Sequence, residues 1–172
     1  MNTGKEQRIN KYKTKGEIKM IKILFVCHGN ICRSPAAEFI FKDIVKRRGV
    51  ADSFYIASAA TSTEEIDNPV YPPMRAELLR HGIGCEGKRA VQLTRADYER
   101  YDLLIGMDSA NIRNMHRMLG GDHEGKIKKL MDYTGKGGDV ADPWYSGRFD
   151  IAYSDILLGC EGLFESFKGE IK

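Results

Sequence analysis

No apolar run in this 172-residue chain approaches the roughly 20 residues that a helical membrane span requires. Near the N-terminus the basic residues precede no apolar core of signal-peptide type. Cysteine is scarce: four residues without regular spacing do not make a disulfide scaffold and fit a reducing, cytoplasmic setting. There is no internal repeat and no low-complexity stretch after residue 19. Basic excess is also missing from the body of the chain. Of the net charge of +3, residues 1–19 carry Lys5, Arg8, Lys11, Lys13, Lys15 and Lys19 against Glu6 and Glu17, and the remainder is close to neutral. Nothing there points to nucleic acid or to a membrane surface. With 42% apolar and 30% charged residues, the composition is that of an ordinary single globular domain. The polar first 19 residues have almost nothing to bury and are expected to be a disordered basic extension. Met20 is a plausible alternative start, and residues 20–172 form the expected domain.

What is present is an alternation of strand-like and helix-like segments. Apolar residues 21–26 predict a buried strand. A helix near 35–47 follows, its apolar face formed by Ala36, Ala37, Ile40, Phe41 and Ile44 and its end marked by Gly49. Residues 54–57 read as a second strand and 58–70 as a loop. Pro72-Pro73 opens a helix that runs to Gly82, and a short helical turn follows Thr94 with Asp97 as a partial capping box. Residues 102–107 read as strand three, and Asp108 or Ser109 starts the next helix. Strand four is expected at 127–131. A Gly-rich loop, 134–147, then leads into a last helix at about 149–168. Such alternation implies α/β architecture, a parallel sheet with helices on both faces, and ligands bind beyond the carboxyl ends of its strands.

The segment Cys27-His28-Gly29-Asn30-Ile31-Cys32-Arg33-Ser34-Pro35 lies at such an end. Ser34 reads as an N-cap with Pro35 at the first helical position. A strand thus feeds a tight loop that opens a helix, where converging backbone N–H groups and the helix dipole favour an anion. Arg33 can hold two phosphate oxygens through its planar fork. The same field is expected to bring the Cys27 thiol into the range of roughly 3.5–7.5 typical of activated cysteines. Nucleophile and oxyanion cradle occupy one loop, which points to attack of a thiolate on phosphorus. Expulsion of the alcohol needs a proton donor. Asp142-Pro143-Trp144-Tyr145, in the Gly-rich loop, offers a carboxylate on a stiffened turn.

Cys-x5-Arg-Ser after a strand resembles the phosphate loop of cysteine-based phosphatases, and Val26-Cys27-x-Gly29-Asn30-x-Cys32-Arg33-Ser34-Pro35 is similar to the low-molecular-weight protein tyrosine phosphatase family. The likeness covers roughly residues 20–168. It implies a phosphatase I-like fold, a four-stranded parallel sheet in the order 2-1-3-4. It also implies hydrolysis of phosphotyrosine through a phosphocysteine on Cys27, with Arg33 holding the phosphoryl group and Asp142 as general acid and then base. His28, Gly29, Asn30, Ile31, Cys32 and Ser34 would complete the phosphate-binding loop. A supporting network of Asn30 and Ser34 with Ser58 and His81 is implied by the resemblance, with Ser34 stabilising the thiolate as leaving group. Trp144 and Tyr145 are available to flank a phenyl ring. Gly106-Met107-Asp108-x-x-Asn111 matches a further family segment, and helix capping alone accounts for Asp108 equally well. The mechanism uses no cofactor and no metal; Cys27, Cys32 and His28 have no fourth ligand at suitable spacing. The implied partner is a tyrosine-phosphorylated protein, a tyrosine kinase among the candidates, with the enzyme a monomer or weakly self-associating.

Departures from the family bear on substrate choice. Its eukaryotic members carry an aromatic residue after strand two where this chain has Thr63-Glu64-Glu65, so a polar pocket wall is expected. Ile31 favours tyrosine phosphatase over the related protein-arginine phosphatases, which carry Thr there. An arsenate reductase of similar fold would need two closely spaced resolving cysteines, whereas Cys85 stands alone. A non-catalytic phosphate-binding module would typically lose Cys27, Arg33 or Asp142. Cys160 reads as a core residue and Cys85 as a free loop thiol. Cys27 and Cys32 lie in a loop that curls around one anion, so their Cα atoms are expected within the roughly 4.4–6.8 Å a disulfide needs. A reversible, redox-protective bridge between them is expected.

Overall fold

Strand β1, Ile21–Cys27, explains why a sandwiched sheet forms. Alternate side chains of a strand point to opposite faces, and here both sets are apolar apart from the exposed Lys22 near the strand's start. Ile21, Ile23, Phe25 and Cys27 join a cluster that includes Ala37, Ile40 and Phe41 of helix α1 (Arg33–Arg47). Leu24 and Val26 face the other way, into a cluster with Leu93, Tyr98 and Leu104. A strand apolar on both faces must be covered on both, and three layers result. Strands β2 (Phe54–Ala60), β3 (Leu103–Gly106) and β4 (Ile127–Lys129) complete an all-parallel sheet in the order β2-β1-β3-β4. The register sets Cys27 opposite Ala60, and Val26 opposite Gly106.

The structure, a computed structural model, describes residues 13–14 and 17–171, with side chains from residue 19 onward. The disorder expected for 1–19 therefore falls largely outside the described residues. Within that segment Lys13–Thr14 pairs antiparallel with Glu17–Ile18. Helices α2 (Pro72–Arg80), α3 (Asp97–Arg100), α4 (Ser109–Leu119), α5 (Pro143–Ser146) and α6 (Phe149–Ser166) follow in order. Met115 and Leu119 of α4 cover one face of the sheet, while Ile156, Cys160 and Leu163 of α6 pack with α1 on the other. No described helix is long and apolar enough to cross a membrane.

Several boundaries differ from the sequence reading, four of them with a clear physical reason. Helix α1 begins at Arg33, two residues before Pro35, because Ser34 turns its hydroxyl toward Cys27 and Asn30 and caps no backbone group. Strand β2 continues through Ser58 to Ala60: Ser58 and two alanines are small enough to lie buried against Phe25, Val26 and Cys27. Strand β4 ends at Lys129 in a 3₁₀ turn, Leu130–Tyr133. Helix α6 crosses that turn at Gly162, where a Cβ would collide with the Tyr133 carbonyl oxygen. The Gly-rich loop contains α5, started by Pro143 and ended at Gly147 with φ of 69°.

Candidate active site

The site grows from the carboxyl end of β1. Cys27 ends the strand and is buried, and residues 28–32 form the loop into α1. Asn30 takes a left-handed φ of 57°, unusual for a residue with a Cβ. Its side chain holds that turn: Oδ1 accepts from Val91 N at 3.1 Å, and Nδ2 donates to Ser34 Oγ at 2.7 Å and to Ser58 Oγ at 2.9 Å. Around the sulfur, Ser34 Oγ lies 3.0 Å from Cys27 Sγ and the Asn30 N–H donates to it at 3.3 Å. No side chain caps the N-terminus of α1, so its first-turn N–H groups are available to an anion.

Arg33 is buried and held from two sides. Nη1 donates to Asp108 Oδ2 at 2.6 Å and to the Val140 carbonyl at 2.9 Å; Nη2 reaches Asp142 Oδ2 at 3.4 Å. Burial works against its charge, but Cys27, Asp108 and Asp142 outweigh burial and the guanidinium pKa is raised. Asp108 has two tasks, since its Oδ1 also caps α4 by accepting from Asn111 N at 2.7 Å. Asp142 caps α5 through Trp144 N at 3.1 Å, which leaves Oδ2 facing Arg33. Cys32 differs from Cys27: burial first, then the charges of Cys27 and Asp142, push its thiol up to about 12. It is a poor nucleophile near neutral pH.

These groups open on a cavity of about 190 Å³ lined by Cys27, His28, Gly29, Ile31, Cys32 and Arg33 from the loop, with Asp142, Trp144 and Tyr145 opposite. Glu64 and Glu65 form a further wall, with Glu64 Oε2 3.2 Å from His28 Nε2. Trp144 is 56% and Tyr145 88% exposed, so both stand at the mouth. Trp144 leans on Tyr71 with ring centroids 5.1 Å apart.

One sequence-based assignment is corrected. His81 does not join Asn30, Ser34 and Ser58. It ends α2, where its Nε2 lies 3.2 Å from Glu77 Oε1 and its ring stacks on Tyr153 at 3.8 Å. The network closes instead on Glu38 and Lys88. Ser58 Oγ donates to Glu38 Oε1 at 2.6 Å, and Lys88 Nζ donates to the Ser58 carbonyl at 3.0 Å. Lys88 reaches this place because its segment runs along the end of β2, with Ala60 and Val91 joined by a backbone bond. Cys85 is a free thiol in a loop, as expected, and is buried there, and Cys160 lies in the core as expected. Sequence reading missed Glu38, Lys88 and the bond from Arg33 to Asp108. Only Glu38 left a signal, as a carboxylate beside the apolar stripe of α1.

The model of the family described as low molecular weight phosphotyrosine protein phosphatase matches residues 22–172. The low molecular weight protein-tyrosine-phosphatase YfkJ of Bacillus subtilis is 39% identical over 88% of this chain and 98% of its own length. The crystal structure of YfkJ superposes with a TM-score of 0.84, covering 88% of this chain and 96% of that one. The low molecular weight phosphotyrosine protein phosphatase of Rattus norvegicus is 36% identical over 87% of this chain and 97% of its own. A solved drosophila arginine phosphatase, 29% identical, gives a TM-score of 0.80 and covers 86% of this chain and 98% of its own.

Proposed function

Because the chain belongs to the low molecular weight phosphotyrosine protein phosphatase family, we propose that it hydrolyses phosphotyrosine in proteins through a phosphocysteine on Cys27. The observation that carries this reading is the placement of Cys27, Arg33 and Asp142 on one small cavity, with Asp142 Oδ2 3.4 Å from Arg33 Nη2. The phosphoryl group enters the loop and takes up the Arg33 fork, and Asp142 is freed to face the leaving oxygen. The Cys27 thiolate forms a P–S bond as the P–O bond breaks, and the Asp142 carboxyl gives its proton to the departing phenol. Water then attacks phosphorus and gives a proton to the Asp142 carboxylate. The P–S bond breaks and the thiolate returns. Arg33 and the loop N–H groups carry the charge that develops on phosphorus. Trp144 and Tyr145 flank the ring of the substrate.

A second reading, protein-arginine phosphatase, is favoured by the likeness to the arginine phosphatase structure. Ile31 on the cavity wall argues for tyrosine. Assay of one peptide scaffold bearing phosphotyrosine, phosphoserine or phosphoarginine separates the readings. Phosphotyrosine is expected to give the highest kcat/KM, because a long aryl ester reaches the recessed sulfur. Ile31→Thr is expected to move the ratio toward phosphoarginine. A wild-type preference for phosphoarginine would replace the first reading by the second, and arsenate-dependent thiol oxidation without ester hydrolysis would remove both.

A further inference from the structure

The loop that presents Asp142 has few fixed points. It leaves the 3₁₀ turn and bends at Gly137 and Gly138, whose φ values are 63° and 86°. Val140 is one anchor: its side chain is buried in the cluster that holds Met107 and Leu130, and its N–H donates to the Met107 carbonyl at 2.9 Å. Arg33 adds two contacts, to the Val140 carbonyl at 2.9 Å and to Asp142 Oδ2 at 3.4 Å. The second of these must break when Asp142 turns to the leaving oxygen. Arg33 therefore cannot aim the acid during proton transfer. A further tie does not involve Arg33. Asp139 Oδ1 accepts from Ser109 N at 3.2 Å, from Ser109 Oγ at 3.2 Å and from Lys129 Nζ at 3.0 Å. Lys129 Nζ also donates to Ser109 Oγ at 3.4 Å, which closes a triangle. Ser109 is the first residue of α4 and Lys129 the last of β4, so both partners stand on elements packed into the sheet. Burial acts to raise the Asp139 pKa, but the bonds from Lys129 and Ser109 and the lysine charge outweigh it and the carboxyl is lowered.

We propose that Asp139, clamped by Lys129 and Ser109, is a positioning residue for the general acid: it fixes the direction in which the loop presents Asp142 to the leaving oxygen. The proposal rests on the phosphatase reading, in which Asp142 protonates that oxygen. A single anchor at Val140 would let the chain pivot. A second at the adjacent residue, tied to a different pair of elements, removes that freedom, and Asp142 follows three residues after Asp139. Asp139 is not among the residues that line the cavity, so its effect on the reaction passes through Asp142. Misplacing a reacting group by even 1 Å is enough to cost a large factor in rate.

The test compares kcat/KM for phenyl phosphate and p-nitrophenyl phosphate in the full chain, with inorganic phosphate as competitive inhibitor. Asp139→Ala is expected to lower kcat/KM about tenfold for phenyl phosphate and about twofold for p-nitrophenyl phosphate, because the poorer leaving group needs the proton more. The inhibition constant of phosphate is expected to stay at its wild-type value, since the loop around Cys27 is untouched. Lys129→Met is expected to shift the ratio of the two esters the same way by about threefold, one arm of the clamp being lost. Lys129→Arg is expected to keep the wild-type ratio. In an Asp142→Ala background, Asp139→Ala is expected to cause no further loss, because two residues that act as one step are not additive. Equal losses on the two esters in Asp139→Ala overturn the proposal, as does a further loss in the Asp142→Ala background or an unchanged ratio in Lys129→Met. The last of these decides the matter if Asp139→Ala does not fold. A wild type inactive on both esters removes the phosphatase reading and this proposal with it, whereas an active wild type whose variants keep the ratio removes this proposal alone.

Discussion

At the scale of single residues, two carboxylates share one arginine at different distances. Asp108 holds Arg33 Nη1 at 2.6 Å, while Asp142 touches Nη2 at 3.4 Å. The short bond suits an anchor, and the long one suits a group that must leave to transfer a proton. Cys27→Ser is expected to abolish turnover, and Arg33→Ala to lower kcat by at least about 10². Asp142→Ala is expected to slow the reaction with phosphate binding kept, more for phenyl phosphate than for p-nitrophenyl phosphate, because a good leaving group needs less protonation. Equal losses on the two esters, measured as kcat, would take Asp142 out of the acid role. The two loop thiols also divide. Cys32 is pushed up to about 12, so peroxide is expected to oxidise Cys27 first to a sulfenic acid that Cys32 then traps as a disulfide. Peptide mapping after mild peroxide reads this bridge, and Cys32→Ser is expected to lose activity irreversibly and faster than wild type. Equal rates of Cys27 over-oxidation in the two proteins would refute the trap.

At the scale of elements, the sheet edge beside the last strand is tied by one carboxylate. Asp122 accepts from Tyr98 Oη at 2.7 Å, from Lys126 N at 2.7 Å and from Ile127 N at 3.2 Å. Burial acts to raise its pKa, but these bonds outweigh burial and the carboxyl is lowered. In the unfolded chain it titrates near 3.9. A group depressed in the folded state contributes its full stability above that value and loses it as pH falls through the lower, folded one. Asp122→Asn is therefore expected to cost about 1–3 kcal/mol at pH 7, measured by urea unfolding. The gap to wild type should close below about pH 4. A gap that stays constant down to pH 3 would show that the bonds, not the charge, supply the whole effect.

At the scale of the whole molecule, the described residues from Ile21 onward hold the sheet, both apolar clusters and the candidate site. A chain beginning at Met20 is expected to fold and to hydrolyse aryl phosphate with the kcat of the full chain. A large loss on truncation would give residues 1–19 a part in the site or the core.

Local chemistry made much of this protein legible in one dimension. The apolar run of β1 predicts a strand covered on both faces. The loop from Cys27 to Ser34 brings the proposed nucleophile, cradle and cation within eight consecutive residues, and Asp-Pro predicts a presented carboxylate. These features depend on neighbours in sequence, so sequence alone determined them. Boundaries set by long-range pairing were not legible: Ser58 reads as loop until β1 offers it a register partner in Phe25. Nor was the true partner set of the network. His81 and Lys88 are seven residues apart, and only the path of the chain past the end of β2 decides that the lysine, not the histidine, arrives beneath the loop. Asp108 likewise reads as a cap, and its bond to Arg33 exists because β1 and β3 are adjacent strands whose carboxyl ends meet. Side-chain chemistry follows from residue type, whereas which charges meet is decided by strand order, because a parallel sheet gathers at one edge the ends of strands far apart in sequence.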